Sequence, residues 1–111
     1  MNWYQELPFA ITVSDAEGNI LIMNDSSVKT FEKYGGLPLI GLSLFNCHPP
    51  AASKKLSGML ESHEINAYTI EKNGLKKMIY QSPWFENGVF MGYVELSLVL
   101  PKEMPHFVRQ P

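Results

Sequence analysis

The chain has 111 residues, of which 45% are hydrophobic and 18% are charged, and its formal net charge is −2. This length predicts one globular domain, and the slight acidity argues against nucleic acid as a direct partner. A single cysteine excludes an internal disulfide and a zinc site built from cysteines. We expect a cytoplasmic domain, because the sequence contains no apolar run of about 20 residues and no basic signal-peptide start.

The N-terminal residues 1–8 are predicted to form a short helical segment that Pro8 ends. Trp3, Tyr4 and Leu7 would share one face of this segment. We expect these three side chains to form a surface for a partner.

A hairpin and a helix are predicted next. The apolar run 9–13 and the run 20–23 flank turn residues 15–19, which indicates two paired strands. Asn24, Asp25 and Ser26 are all good helix N-caps, and the helix that follows is predicted to run to about Tyr34.

A second helix is predicted from the Pro49-Pro50 pair onward, because proline suits a first helical turn. Its apolar positions fall on one face at helical spacing. They are Ala52, Leu56, Met59, Leu60 and His63.

The remaining residues predict three strands, over 65–72, 75–85 and 89–100. An Asn-Gly pair separates each neighbouring pair of strands, and Asn-Gly between apolar runs indicates a hairpin. The fold class is therefore α+β, a five-stranded antiparallel sheet with helices covering one face. We expect the domain to span residues 9–100 and a C-terminal tail to span 101–111.

This order of elements resembles a PAS domain over nearly the whole chain. Asp15, Gly18 and Asn24 stand where PAS domains have a turn Asp, a turn Gly and a helix-capping Asn. The resemblance implies a bacterial sensory or interaction module in signal transduction, without catalysis, that dimerises or contacts a signalling partner. It also implies a cavity between the sheet and the helices.

A closer resemblance concerns the Asn-Cys-His-Pro-Pro stretch at 46–50 and the positions Gly88, Gly92 and Glu95. These are similar to the PAS module of bacterial hemerythrin-linked proteins. The usual Asp-Ile/Thr ending of that module is absent, since the stretch 97–99 reads Ser-Leu-Val.

We expect a small apolar or aromatic ligand to contact side chains from the helices and strands around the cavity. The candidates are Phe31, Leu44, Cys47, His48, Leu56, Met59, Leu60, Tyr68, Met78 and Tyr80. The alternative is that these side chains simply fill the core, since dense packing is usual in protein interiors.

Cofactor binding is an open alternative. His48 or His63 would be the axial ligand of a haem-based redox or gas sensor. Otherwise His48 shapes the start of its helix, and His63 is an exposed histidine near a helix C-terminus.

The Asn46-Cys47 pair is similar to the flavin-binding motif of LOV domains. Two departures argue against flavin: the pair is followed by His-Pro-Pro, and Val94 occupies the place of a flavin-contacting Gln. Cys47 would then be a small buried hydrophobic residue.

Glu95 lies within an apolar strand, and its direction decides its role. Facing inward, it would pair with His48 or a ligand, and these two residues are also the only acid and base that an enzyme could use. Alternation with Val94 and Leu96 favours the outward direction, in which we expect Glu95 to belong to an interface.

Overall fold

A computed structural model describes residues 1–32, 36, 40–43 and 50–111, and it does not describe the side chains of residues 50–52. Three predicted ligand residues, Leu44, Cys47 and His48, therefore lie outside the described residues. Within the described part of the chain, no helix is long and apolar enough to cross a membrane.

The described residues contain five strands and two α-helices. In chain order they are β1 (Ala10–Ser14), β2 (Ile20–Met23), α1 (Asp25–Thr30), α2 (Pro50–Ser62), β3 (Asn66–Lys72), β4 (Leu75–Glu86) and β5 (Val89–Val99). The strands form one antiparallel sheet in the order β2-β1-β5-β4-β3. The predicted α+β fold with a five-stranded antiparallel sheet is confirmed.

The last two hairpins are closed by the predicted Asn-Gly turns. Asn73 and Gly74 have φ values of 53° and 77°, and Asn87 and Gly88 have φ values of 52° and 79°. Positive φ at both central residues is the geometry of a type I′ turn, whose twist matches that of the flanking strands. These two turns therefore set where β3, β4 and β5 begin and end.

The first hairpin turns around the side chain of Asp15. One of its carboxylate oxygens accepts the backbone N–H groups of Glu17 at 2.9 Å and Asn19 at 2.8 Å. Gly18 completes the turn with a φ of 87°. The predicted turn chemistry is thus confirmed, since an aspartate side chain that accepts the N–H groups of the following backbone mimics a backbone turn.

Helix α1 is shorter than predicted. It ends at Thr30, and Phe31 is its C-cap with φ −100° and ψ 20°. The Phe31 side chain packs against the core, and its carbonyl accepts the N–H of Gly36 at 3.1 Å. The predicted helix end at Tyr34 lies outside the described residues.

The core lies between the sheet and the helices. Ile20, Met23 and Leu56 form its fully buried cluster, and Val28, Phe31 and Leu60 pack against that cluster. Two strand residues and one α2 residue thus meet where α1 covers the first hairpin, which joins the helical layer to the sheet.

The N-terminal segment forms turns rather than an α-helix. The N–H of Gln5 bonds the carbonyl of Asn2 at 3.0 Å, and the N–H of Leu7 bonds the carbonyl of Tyr4 at 3.4 Å. Pro8 follows directly and, lacking an N–H, does not extend this pattern. Trp3 is 70% exposed, whereas Tyr4 and Leu7 are half-buried.

Candidate ligand site between the sheet and the helices

A small cavity separates α2 from the centre of the sheet. Its volume is about 20 Å³, and Leu56 and Met59 of α2 lie on one side of it. The opposite wall comes from β1, β4 and β5 and is mainly polar. It consists of Thr12, Ser14, Gln81, Tyr93 and Glu95. A cavity of this size holds about one water molecule.

The polar wall continues across four neighbouring strands as one row of side chains, which we call the polar row: Thr12, Glu95, Gln81 and Asn66. The register pairs Thr12 with Glu95, Glu95 with Gln81, and Gln81 with Asn66. The Asn66 amide donates to Gln81 at 2.8 Å, and the Gln81 amide donates to Glu95 at 2.7 Å. Paired residues share a face of the sheet, so the whole row faces the helices.

Helix α1 reaches the other end of the polar row. The hydroxyl groups of Thr12 and Ser27 form a hydrogen bond, and both residues are buried. The row is therefore linked to α1 by this contact, while α2 lies across the cavity from it.

The inward direction of Glu95 corrects the prediction that it faces outward. A register shift lies between Trp84 and Phe85, so that Trp84 pairs with Gly92 while Phe85 pairs with Phe90. This β-bulge adds one residue to β5 and moves every later residue of that strand to the next position against β4. Glu95 consequently lies opposite Gln81 on the helix-facing side, and its orientation does not support an interface role on the outer side.

Two predicted ligand residues on β4 also lie on the side of the sheet that faces away from the cavity. Met78 pairs with Leu98 and Tyr80 pairs with Leu96, each in alternation with the cavity-lining Gln81. Because successive residues of a strand point to opposite faces, Met78 and Tyr80 face away from the helices. The prediction that they line the cavity is wrong.

The same alternation removes one of the two arguments against flavin, the one that compares Val94 with the flavin-contacting Gln of LOV domains. Val94 faces away from the helices, since its neighbour Glu95 lines the cavity. Val94 therefore cannot be the counterpart of an inward, flavin-contacting Gln. The difference between the His-Pro-Pro stretch and the LOV motif is unaffected, and His48 and Pro49 lie outside the described residues.

The other predicted ligand residues that the structure describes line these spaces or pack beside them, and their role in binding a ligand stays a prediction. Leu56 and Met59 line the small cavity, and Leu60 packs against the adjacent core cluster. Phe31 and Tyr68 line a neighbouring groove of about 210 Å³ that also contains Glu95. Burial raises the pKa of Tyr68, and the negative charge of Glu95 raises it further.

His63 does not reach either space. It is exposed, follows the end of α2 with a φ of 59°, and stacks on Phe90 with ring centroids 3.7 Å apart. The prediction that His63 lies on the apolar face of the second helix is therefore wrong, because α2 ends at Ser62 and His63 has a positive φ. His63 thus lines neither the cavity beneath α2 nor the neighbouring groove, and the other haem candidate, His48, lies outside the described residues.

Tyr93 joins the centre of the sheet to the end of α2. It is 4% exposed, and its hydroxyl lies 2.8 Å from the Met59 carbonyl and 2.7 Å from the Glu64 carbonyl. The Met59 carbonyl also accepts the N–H of His63 at 2.8 Å. Burial raises the pKa of Tyr93 above the usual 10.0, and the charge of Glu64 raises it further. The phenol therefore anchors α2 over the cavity as a neutral donor.

We expect Tyr93→Phe to lower the free energy of unfolding by about 1–2 kcal/mol, because it removes one shared hydrogen bond to two carbonyls. Urea denaturation measures this change. The folded-state pKa of Tyr93 is raised, so its stabilisation is complete below the unfolded-state pKa and is lost as the pH rises through the folded-state value. The difference between the two proteins should therefore shrink above pH 10, where the unfolded phenol ionises.

Tyr80→Phe is the matched control for this prediction. The Tyr80 hydroxyl forms no hydrogen bond with the described residues and lies on the other face of the sheet. Its loss should change stability by less than about 0.5 kcal/mol. Equal effects of the two substitutions would contradict the anchoring role of Tyr93.

Solved structures from several organisms share this arrangement. A C-terminal domain from Streptococcus mutans has a TM-score of 0.68 at 20% identity, covering 86% of this chain and 78% of that chain. A sensory box sensor histidine kinase from Vibrio cholerae has a TM-score of 0.65 at 13% identity, covering 86% and 85%. The PAS domain of an HTR-like protein from Haloarcula marismortui has a TM-score of 0.62 at 14% identity, covering 89% and 87%.

The chain has a PAS-like fold. No protein-family model and no curated protein matches the sequence. The identities to the solved structures are low, so the likeness concerns the fold. The resemblance to the hemerythrin-linked module is not tested by these matches and stays a prediction.

Sequence reasoning missed three members of the polar row, Thr12, Gln81 and Asn66. The signal that was present is the register set by the Asn87-Gly88 turn, which predicts cross-strand partners by counting outward. Counting without the bulge pairs Gln81 with Val94 instead of Glu95, so this count does not predict the polar row. The positive φ that the bulge needs at Gly92, 145°, is not visible from hydrophobic alternation.

Proposed function

We propose that this chain is a sensory module that binds a small ligand between its sheet and its helices and passes the change to a partner protein. The observation that carries the proposal is the polar row. A sheet face that only supported helices would be expected to carry apolar side chains, because burying polar groups is costly. This face instead carries a hydroxyl, a carboxylate and two amides across its centre.

The contacts around the polar row supply a route from a ligand to the rest of the domain. Thr12 contacts α1 through Ser27, and Tyr93 holds the end of α2. A ligand that takes a hydrogen bond from the row would change the environment of both helices. We propose binding and signalling as the role of the chain, and we propose no reaction for it.

The partner surface is proposed from exposed and half-buried apolar residues. The outer side of the sheet carries side chains that neither helix covers. They include Met78, Tyr80, Val94, Leu96 and Leu98, all of them half-buried. Trp3 adds an exposed aromatic side chain at the N-terminus. A contiguous apolar surface is typical of a protein interface, so we propose a homodimer or a complex with a signalling protein.

The ligand part of the proposal is tested by native mass spectrometry of protein purified from cells. We expect a mass above that of the polypeptide, which disappears on denaturation, because the ligand is held without a covalent bond. The released compound should then shift amide resonances of α2 and β5 when it is added back. Purified protein without added mass, whose resonances do not respond to a cell metabolite extract, would contradict ligand binding.

The partner part of the proposal predicts that Trp3→Ala weakens self-association about tenfold, since exposed tryptophans often contribute most of the energy at interfaces. Sedimentation velocity over a concentration series measures this. A point substitution is preferable to deletion of residues 1–7, because the carbonyls of Tyr4, Gln5 and Leu7 bond to Asn24, Asp25 and Ser26. Deletion would therefore also destabilise the domain.

Val108→Ala is the control for Trp3→Ala, since Val108 is 79% exposed in the C-terminal tail. It should leave self-association unchanged. If Trp3→Ala and the unchanged protein associate equally, the N-terminal segment is not part of the interface.

A further inference from the structure

The groove next to the cavity has chemically different ends. It lies between the end of α1 and the strands β3, β4 and β5, and its volume is about 210 Å³. Glu95 is shared by this groove and the cavity beneath α2. Phe31, Ile70 and Ile79 line the groove, together with Lys72 and Lys77. The groove therefore carries a carboxylate, an apolar wall and two ammonium groups.

The carboxylate end lacks a positive partner among the described residues. One oxygen of the half-buried Glu95 accepts the Gln81 amide at 2.7 Å, and the other accepts no hydrogen bond from the described chain. A carboxylate that is partly removed from water is stabilised by a cation or further donors. Its charge acts on Tyr68, whose pKa it raises in addition to the effect of burial. A positively charged ligand group would therefore fit this end.

The ammonium end lies too far along the strands to supply that cation. Gln81 pairs with Glu95, and Lys77 is four residues before Gln81 on the same strand. At about 3.3 Å per residue, the backbones of Lys77 and Glu95 are roughly 13 Å apart. Lys77 pairs with Ile70 on β3, and Lys72 ends that strand two residues later. The two lysines are thus placed to receive an anion from a ligand whose other end reaches Glu95.

We infer that the groove binds a compact zwitterion, with a protonated amine at Glu95 and a carboxylate or similar anion near Lys77. The middle of the ligand is apolar or aromatic and lies against Phe31 and Ile79, beside the ring of Tyr68. This assignment rests on the proposed ligand-binding function and specifies the class of molecule. Charge complementarity at two separated points would select such a ligand over one that carries only a single charge.

The test uses para-aminomethylbenzoate, whose amine and carboxylate lie at opposite ends of a benzene ring. The matched probes are benzylamine, para-methylbenzoate and para-methylbenzyl alcohol, which carry the cation, the anion and no charge. Isothermal titration calorimetry with the full chain should give at least about tenfold tighter binding for the zwitterion than for the other three. Equal affinities, or no binding of the zwitterion at millimolar concentration, would overturn the inference.

Two substitutions test which residue binds the amine of the zwitterion and which binds its carboxylate. Glu95→Gln keeps an oxygen that can accept from Gln81, and it should weaken binding of the zwitterion and benzylamine about tenfold without affecting para-methylbenzoate. Lys77→Gln should weaken the zwitterion and para-methylbenzoate and leave benzylamine unchanged. Lys76→Gln is the control, because Lys76 is exposed and alternates to the other side of β4. Unchanged zwitterion affinity in folded Glu95→Gln protein contradicts the proposed orientation.

Failure of this inference is distinguishable from failure of the proposed function. If native mass spectrometry shows a neutral or singly charged ligand in protein purified from cells, the sensory proposal stands and the zwitterion class is wrong. If neither a native ligand nor any of the four probes binds, both are wrong.

Discussion

Gly92→Ala is expected to lower the free energy of unfolding by at least about 4 kcal/mol, which would leave a domain of ordinary stability largely unfolded. A Cβ atom at residue 92 would lie 2.0 Å from the carbonyl oxygen of Ser14 and 2.7 Å from the carbonyl carbon of Asp15. Both are backbone atoms, and they are fixed because the same Ser14 carbonyl accepts the indole N–H of Trp84 at 3.0 Å. Circular dichroism with urea denaturation measures the loss.

Substitutions at two other glycines distinguish the steric clash at residue 92 from the energetic cost of placing alanine at a positive φ. Gly58 lies in α2 with open space where an added methyl group would lie, so Gly58→Ala should stabilise by about 0.5–1 kcal/mol. Gly88 has a φ of 79° and an added methyl group there also meets nothing within 4 Å, so Gly88→Ala reports the cost of positive φ alone, about 1–2 kcal/mol. A loss at Gly92 no larger than that at Gly88 would contradict the close approach of β1 to β5.

Asn24→Ala is expected to cost about 3–5 kcal/mol, because one buried side chain makes four hydrogen bonds. Its amide oxygen accepts the N–H groups of Ile11 at 2.9 Å and Ser27 at 3.0 Å. Its amide nitrogen donates to the carbonyls of Tyr4 and Phe9, each at 2.9 Å. The alanine variant leaves these groups without partners and loses the cap of α1. Thermal and urea denaturation should both show the loss.

Asn24→Asp tests the donor half of this arrangement. Aspartate keeps both acceptor bonds but turns a carboxylate oxygen toward the carbonyls of Tyr4 and Phe9, so its pKa should be raised in the folded state. A raised folded-state pKa stabilises the variant at low pH, and that contribution is lost as the pH rises through the folded-state value. The deficit relative to the unchanged protein should thus be smaller at pH 4 than at pH 7.

Asn2→Ala is the control, since Asn2 is exposed and its side chain forms no hydrogen bond with the described residues. It should change stability by less than about 0.5 kcal/mol. If Asn24→Ala is equally mild, the N-terminal segment is not held through this residue.

Local signals in the sequence are sufficient to predict the order of the strands and helices. The turns at Asn73-Gly74 and Asn87-Gly88 need positive φ at two successive residues, and few residue pairs accept this geometry. Residue type predicts an N-cap among Asn24, Asp25 and Ser26, and in the structure the Asn24 side chain accepts the N–H of Ser27. The additional bonds of Asn24 to Tyr4, Phe9 and Ile11 join segments far apart in the sequence and were not predictable from local pattern.

The candidate site was only partly predictable. Leu56, Met59 and Leu60 were identified because the period of a helix places them on one face, and the structure brings them to the sheet or the core. The prediction that Met78 and Tyr80 line the cavity fails, because both residues lie on the opposite face of the sheet. In β4 apolar residues occupy both faces near the centre, so alternation alone does not indicate which face meets the helices.

The sequence by itself determined the α+β fold class, its five strands and the turns between the paired strands, because propensity and turn chemistry act within a few residues. Only the tertiary structure decided which side of β5 faces the helices. The side of β5 that faces the helices depends on the bulge before Gly92. The Ser14 backbone passes close to Gly92, and only a residue without a side chain leaves space for it. A one-residue change of register reverses every side chain of a strand, so a contact between β1 and β5 placed Glu95 in the site.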